Sequence, residues 1–375
     1  MNYIYKSLNF RSVAVLFMLL FESLISAQTQ KPINVIFMIG DGMGVSQVTS
    51  AFYFGNGTPN FQNFKYVGLS ETSCTSDRIT DSAAGATALS TGQKTYKRAI
   101  GVDKDSLSIP TILEQLQDKG YKTGLVSLTS ITHATPAAYY AHVKDRDLHE
   151  DIALDFIKSD VDFAAGGGLK FFNKRKDKKD LLKELTKKNY RIDTVSLSKP
   201  VVGKRNLYLM AQDELPNKVQ GRKDFLPEAT QVALDFLSQK NQPFFLMVEG
   251  SFIDWGGHAN DAKMMVEEVL DFDKTIGVVM DFIKKNPNTL LVVTADHETG
   301  GASIGKFMEK DPKSGKMKEV KDKVQINFID GQHTAALVPV FAMGKGEELF
   351  SGVYPNNTIY HKLMEALKKS GVNIK

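Results

Sequence analysis

Two kinds of apolar run recur along this chain. Asn34 to Ile39 (N-V-I-F-M-I), Pro243 to Val248 (P-F-F-L-M-V) and Thr289 to Thr294 (T-L-L-V-V-T) are almost continuously apolar. Runs of this kind predict strands buried on both faces. Lys65 to Thr72, Tyr121 to Thr129, Asp162 to Ala165 and Val338 to Met343 predict further strands, and 190–211 carries weaker strand signals. Between them lie stretches with helical spacing: 45–54, Ile109 to Lys119, Leu226 to Ser238, 261–285 and Asn357 to Lys369. Strands alternating with helices over the whole length predict an α/β fold with a largely parallel central sheet covered by helices on both faces. The lysine-rich stretch 170–188 reads as a solvated helix face, and 301–330 as a loop or small hairpin. No linker or repeat interrupts the pattern, so 28–375 reads as a single domain.

The residues that break the pattern gather where predicted strands end. Asp41 lies in G-D-G-M-G after the first strand. Thr132, His133 and Thr135 follow the strand ending at Thr129. Glu249, Asp254 and His258 lie in E-G-S-F-I-D-W-G-G-H. Asp296 and His297 lie in A-D-H-E-T-G, and His333 in G-Q-H-T just before a strand. In open α/β sheets, ligands collect at the carboxyl ends of the strands. Four of the seven histidines fall in these motifs, while His142, His149 and His361 read as structural or surface residues.

The segment 80–92, T-D-S-A-A-G-A-T-A-L-S-T-G, reads as a helix opened by Asp81 and Ser82 and stopped by Gly92. Gly85 allows another backbone to come close. An anion above Ser82 would meet unpaired N–H groups and the positive end of the helix dipole. Imidazole with carboxylate is a zinc ligand set, and hydroxyl with carboxylate suits a harder ion such as magnesium. There are too many ligands here for one zinc and enough for two zincs and a third, harder ion. Two metals about 4 Å apart form a clamp for phosphoryl transfer.

Composition narrows the partners. The chain has 375 residues, 42% of them hydrophobic and 24% charged, as in a globular protein. Lys6 and Arg11 precede the apolar run Val13–Phe21, and Ser26-Ala27 offers a small-residue cleavage site. Residues 1–27 therefore read as a secretory signal peptide, too short in its apolar part to span a membrane. Removing Lys6, Arg11 and Glu22 with it takes one unit from a net charge of +4. That balance indicates neither a nucleic-acid nor a membrane-surface partner. Cys74 is the single cysteine, so an exported chain has no internal disulfide, and a buried structural role is expected for it.

Taken together, the chain resembles the alkaline phosphatases, of the compact bacterial kind. The match runs through D-G-M-G at 41–44, T-D-S-A-A-G-A-T-A at 80–88, T-H-A-T-P-A at 132–137, E-G-S-F-I-D-W-G-G-H at 249–258, T-A-D-H-E-T-G-G at 294–301 and G-Q-H-T at 331–334. The resemblance implies that Ser82 is the nucleophile that becomes phosphoserine. It implies one zinc on Asp254, His258 and His333, and another on Asp41, Asp296 and His297 that also binds the Ser82 alkoxide. Asp41 would also reach a magnesium site with Thr135 and Glu249. Arg146 matches an arginine that grips two phosphate oxygens through its planar fork. The implied substrates are phosphate monoesters, the implied location is periplasmic or secreted, and a homodimer is expected.

Three departures bear on this. His133 stands where some members have an aspartate near magnesium, which should weaken magnesium binding and let zinc compete for the third site. Trp255 follows Asp254 where some members have a lysine or histidine near the phosphate, so Arg146 is expected to carry more of the substrate binding. The cysteines of disulfide-bonded relatives are absent. Among rivals, a sulfatase would need a C/S-x-P-x-R pattern, and Ser82 is followed by Ala83, Ala84, Gly85 and Ala86. A phosphodiesterase could share the metals, but Arg146 suits a dianionic monoester end. A phosphate- or metal-binding protein would have no use for the nucleophile.

Overall fold

The computed structural model describes residues 31–239 and 242–374, so the expected signal segment 1–27 lies outside the described residues. The described residues form fourteen strands: β1 (Asn34–Gly40), β2 (Tyr66–Glu71), β3 (Lys122–Ser130), β4 (Phe163–Gly167), β5 (Tyr190–Asp193), β6 (Arg205–Leu209), β7 (Phe244–Gly250), β8 (Thr289–Thr294), β9 (Glu298–Thr299), β10 (Ser303–Lys310), β11 (Met317–Asn327), β12 (His333–Thr334), β13 (Val338–Gly344) and β14 (Gly352–Pro355). Ten of them make one sheet in the order β14-β2-β13-β8-β1-β7-β3-β4-β6-β5. From β8 to β5 every pairing is parallel, and β13 runs against both its neighbours. The expected α/β fold with a largely parallel sheet is what forms.

Strand β1 shows why. Its alternate side chains serve two cores. Val35, Phe37 and Ile39 pack with the helices Ser82–Thr91, Ile112–Gln117, His149–Lys158 and Thr358–Lys369 on one face. Ile36 and Met38 pack with Val45–Phe54, Phe225–Leu237 and Ala262–Lys285 on the other. A strand with apolar neighbours on both sides has no use for alternation, hence the continuous run.

Register then sets the site. Ile39 lies level with Glu249 of β7 and with Thr294 of β8. The ends of the three central strands therefore open together, with Asp41 just beyond β1 and Asp296 just beyond β8. Glu249 lies inside β7, which runs two residues past the predicted end.

Other differences from expectation have local causes. The helix expected over 109–119 is shorter, Ile112–Gln117, because Thr111 is its N-cap in a capping box with Glu114. The lysine-rich stretch 170–188 holds two short helices, Lys170–Asn173 and Leu181–Lys187. Residues 303–327 form an antiparallel hairpin of β10 and β11 outside the main sheet. Cys74 is buried and its thiol donates to the Asp77 carbonyl oxygen. No helix among the described residues is long and apolar enough to cross a membrane.

Candidate active site

Each motif at the sheet edge is shaped so that its side chains meet. The helix Ser82–Thr91 is wholly buried, with Asp81 as N-cap accepting from the Ala84 N–H at 3.1 Å and Gly92 closing it in the left-handed conformation. A Cβ on Gly85 would lie 3.0 Å from the Asp296 carbonyl oxygen, so this glycine lets the helix approach the turn after β8. Ser82, at the first position, is thereby set 3.2 Å (Oγ) from His297 Nε2. The glycines of G-D-G-M-G admit other partners. A Cβ on Gly42, whose φ is +71°, would lie 2.7 Å from the Asp254 backbone, and one on Gly44 would overlap the Glu298 side chain.

Two groups of ligand atoms result. Asp254, His258 and His333 each offer an atom within 4.8 Å of the others, and so do Asp41, Asp254 and His297. His297 Nε2 also lies 3.4 Å from a carboxylate oxygen of Asp41 and 3.4 Å from one of Asp296. Asp254 thus belongs to both groups, where the expectation from the sequence put it with His258 and His333 alone. It shares the short helix Phe252–His258 with His258, four residues on, at 3.3 Å.

The histidines are oriented from behind. His258 Nδ1 lies 2.7 Å from the Gly331 carbonyl oxygen and His333 Nδ1 lies 2.9 Å from that of Thr80. A carbonyl can only accept, so both Nδ1 atoms carry the proton and both Nε2 lone pairs face inward. Those two Nε2 atoms are 3.1 Å apart. Thr299 treats His297 alike. Its hydroxyl donates to Asp254 Oδ1 at 2.5 Å, which leaves its lone pairs for His297 Nδ1–H at 3.2 Å. Three imidazoles therefore present Nε2 to one space.

Electrostatics agree with a cation site. Burial, then the charges of Asp254 and Glu249, push Asp296 up to about 8. Burial and the neighbouring carboxylates raise Asp41 well above its usual range. Burial also raises Glu249, against the hydrogen bonds of Ser127, Ser251 and other hydroxyls. At Asp254 burial is outweighed by the His258 hydrogen bond and the nearby imidazoles, and its pKa is lowered. Hydrogen bonding to Asp254 carries His258 up to about 9 against its burial, so its Nε2 lone pair becomes available to a cation only as that cation displaces the proton shared with Asp254. Asp41 Oδ1, Asp296 Oδ2, Glu249 Oε1 and Thr135 Oγ1 are buried without a hydrogen-bond partner among the described residues. Four buried carboxylates with inward imidazole lone pairs are a donor set that fits divalent cations, because carboxylates this close repel one another unless cations stand between them.

Arg146 closes the other side. Its guanidinium lies 3.3 Å from Asp81 Oδ2 and 3.4 Å from His133 Nε2. Burial, then Arg146 and His149, press His133 down to about 3, so its ring is neutral. Arg146, Asp81, Thr80, His258 and His333 line an open cleft of about 500 Å³. Trp255 is about one-third exposed, packs on Phe252 with ring centres 4.7 Å apart, and is not among the residues that line this cleft. His142 and His149 are tied elsewhere, to Glu114 and to Thr132.

The sequence reading omitted Thr299 and Glu298, and the hydroxyls of Ser127 and Thr129 that hold Glu249 at 2.6 and 3.3 Å. A usable signal existed for Thr299. Two residues after His297 in extended backbone, it falls on the same face.

Comparison with known proteins closes the case for the family. Residues 32–312 match the family model described as alkaline phosphatase. Alkaline phosphatase 3 of Bacillus subtilis (strain 168) is 34% identical over 89% of this chain and 89% of its own. The structure of alkaline phosphatase from the Antarctic bacterium TAB5 is 46% identical, covers 91% of this chain and 99% of its own, and superposes with a TM-score of 0.87. A His-to-Asp variant of the TAB5 enzyme with magnesium bound in the M3 site gives the same identity and coverage and a TM-score of 0.88. With a matching model over most of its length and relatives spanning nearly all of it, this chain belongs to the alkaline phosphatase family and is a phosphoric monoester hydrolase.

Proposed function

We propose that the chain cleaves phosphate monoesters in two displacements at Ser82. The observation that carries this reading is the Ser82 hydroxyl, at a helix N-terminus and 3.2 Å from His297 Nε2, which itself lies 3.4 Å from carboxylate oxygens of Asp41 and Asp296. Asp254, His258 and His333 would hold one zinc, and Asp41, Asp296 and His297 the other. Glu249, Thr135 and Asp41 would hold magnesium, with zinc as a competitor because of His133. Bound there, the ions would supply Lewis acidity toward the phosphoryl oxygens and lower the pKa of the serine hydroxyl.

The protein groups do the rest. Arg146 grips two phosphoryl oxygens, oriented by Asp81 on one nitrogen and His133 on another. Ser82 gives up its hydroxyl proton to solvent, its Oγ forms a bond to phosphorus as the bond to the ester oxygen breaks, and the alcohol leaves with a proton taken from solvent. Water then displaces Oγ, giving inorganic phosphate and restoring Ser82. The reading includes export with loss of 1–27 to a periplasmic or secreted location, one domain over 28–375 and a homodimer, with Trp255 outside the cleft that Arg146 lines.

The test is hydrolysis of p-nitrophenyl phosphate by the purified mature protein, with metal content measured alongside. Monoester turnover that a chelator abolishes and zinc restores is expected, with about two zinc per chain. Faster turnover of the matching diester or sulfate would overturn the substrate class.

A further inference from the structure

The pairing that brings His297 and His333 together is only two residues long. Strands β9 and β12 match His333 with Thr299 and Thr334 with Glu298. So short a ladder barely specifies its own register, and a slip of one residue would turn His333 to the opposite face. Something else must hold it.

Glu298 is buried and accepts from four donors. Gln47 Nε2 lies 2.7 Å and the Ala302 N–H 3.0 Å from Oε1. The Gly301 N–H lies 3.2 Å from Oε2, which also accepts from the Thr334 hydroxyl directly across the ladder. Three separate segments are tied by this one side chain: the helix Val45–Phe54 that follows the Asp41 motif, the turn after β9, and β12. The fully buried Gln47 adds a bond from the same Nε2 to the Thr299 carbonyl oxygen at 2.8 Å. Gly44 has room for no side chain because the Glu298 side chain occupies that space.

We infer that Glu298 is a positioning residue for the metal site. It locks the register of β9 on β12 and so sets His297, Thr299 and His333 relative to Asp41 and Asp254. The inference rests on the reading of these residues as zinc ligands. All four partners are donors, so an amide in place of the carboxylate would set N–H against N–H. Misplaced support behind metal ligands typically lowers affinity about 10–100-fold.

The experiment is zinc affinity by chelator competition on the mature protein, for wild type, Glu298→Gln and Glu298→Ala, with the visible spectrum of each cobalt-loaded form. We expect affinity to fall about 10–100-fold in both variants, with an altered cobalt spectrum and a smaller loss of kcat at saturating zinc. Thr334→Val and Gln47→Met each remove one donor and give the same sign if Glu298→Ala does not fold. Glu347→Ala is the control, since Glu347 accepts from the Gly344 N–H at 2.8 Å away from the metal ligands. It should lose stability without losing zinc affinity. Wild-type affinity and cobalt spectrum in the Glu298 variants, or in both single-donor variants, would overturn the inference. Failure of the wild type to bind zinc would instead overturn the metal reading beneath it.

Discussion

Thr299 serves two of the proposed zinc ligands with one hydroxyl, donating to Asp254 and accepting from His297. Valine keeps the shape and removes both bonds. Thr299→Val should therefore free His297 to adopt the wrong tautomer and lower zinc affinity about 10–100-fold, read by chelator competition. Unchanged affinity would mean that packing alone holds the ring. At this scale the sequence was informative where chemistry sits inside a motif at a strand end. Asp41, Asp254, His258, Asp296, His297 and His333 all stand out in that way. Thr299 and Glu298 did not, because a threonine and a glutamate after a histidine look like ordinary strand or turn residues. What distinguishes them are partners far away in sequence, such as Gln47 and Asp254.

Among the elements, the turn after β1 packs against the helix Phe252–His258, which carries Asp254 and His258. Gly42 has a left-handed φ of +71°, and a Cβ there would lie 2.7 Å from the Asp254 backbone. Gly42→Ala should cost about 1–3 kcal/mol from the strained backbone and move Asp254. The expected result is a lower melting temperature of the metal-free protein together with reduced zinc content. A stable variant with full zinc would contradict this packing argument. Buried strands such as β1, β7 and β8 were legible because burial on both faces leaves an apolar run. Strand β14 was not, since it is a short edge strand with one buried residue in four. The hairpin of β10 and β11 has only exposed and half-buried positions, so its sequence carries little more than polarity.

At the scale of the whole molecule, stability should depend on pH through a pair far from the metal ligands. His142 and Glu114 meet at 2.9 Å, joining the segment after β3 to the helix Ile112–Gln117. Burial lowers the pKa of His142, but hydrogen bonds to Glu114 and the Gly101 carbonyl oxygen prevail and raise it above the ordinary 6.5. Burial likewise raises that of Glu114, and its hydrogen bonds from His142 and Thr111 prevail and lower it below the ordinary 4.5. The His142 contribution is complete below 6.5 and is lost as pH rises through the raised pKa. The Glu114 contribution is present above 4.5 and is lost as pH falls through the lowered one. The pair thus helps most between those two ordinary values and less at alkaline pH, where the His142 charge is gone. With zinc saturating throughout, His142→Gln should destabilise the protein near pH 6 and little near pH 9, by thermal unfolding. An equal effect at both would exclude the charge from the account.

If the two displacements proposed for Ser82 are correct, phosphate passes through its Oγ. Protein quenched in acid during turnover of a phosphate monoester can be digested and its phosphorylated peptide sequenced by mass spectrometry. One phosphoryl group is expected, on Ser82, with loss of at least about 10³-fold in kcat in Ser82→Ala. Phosphate on another residue, or a Ser82→Ala protein that turns over at the wild-type rate, would contradict it.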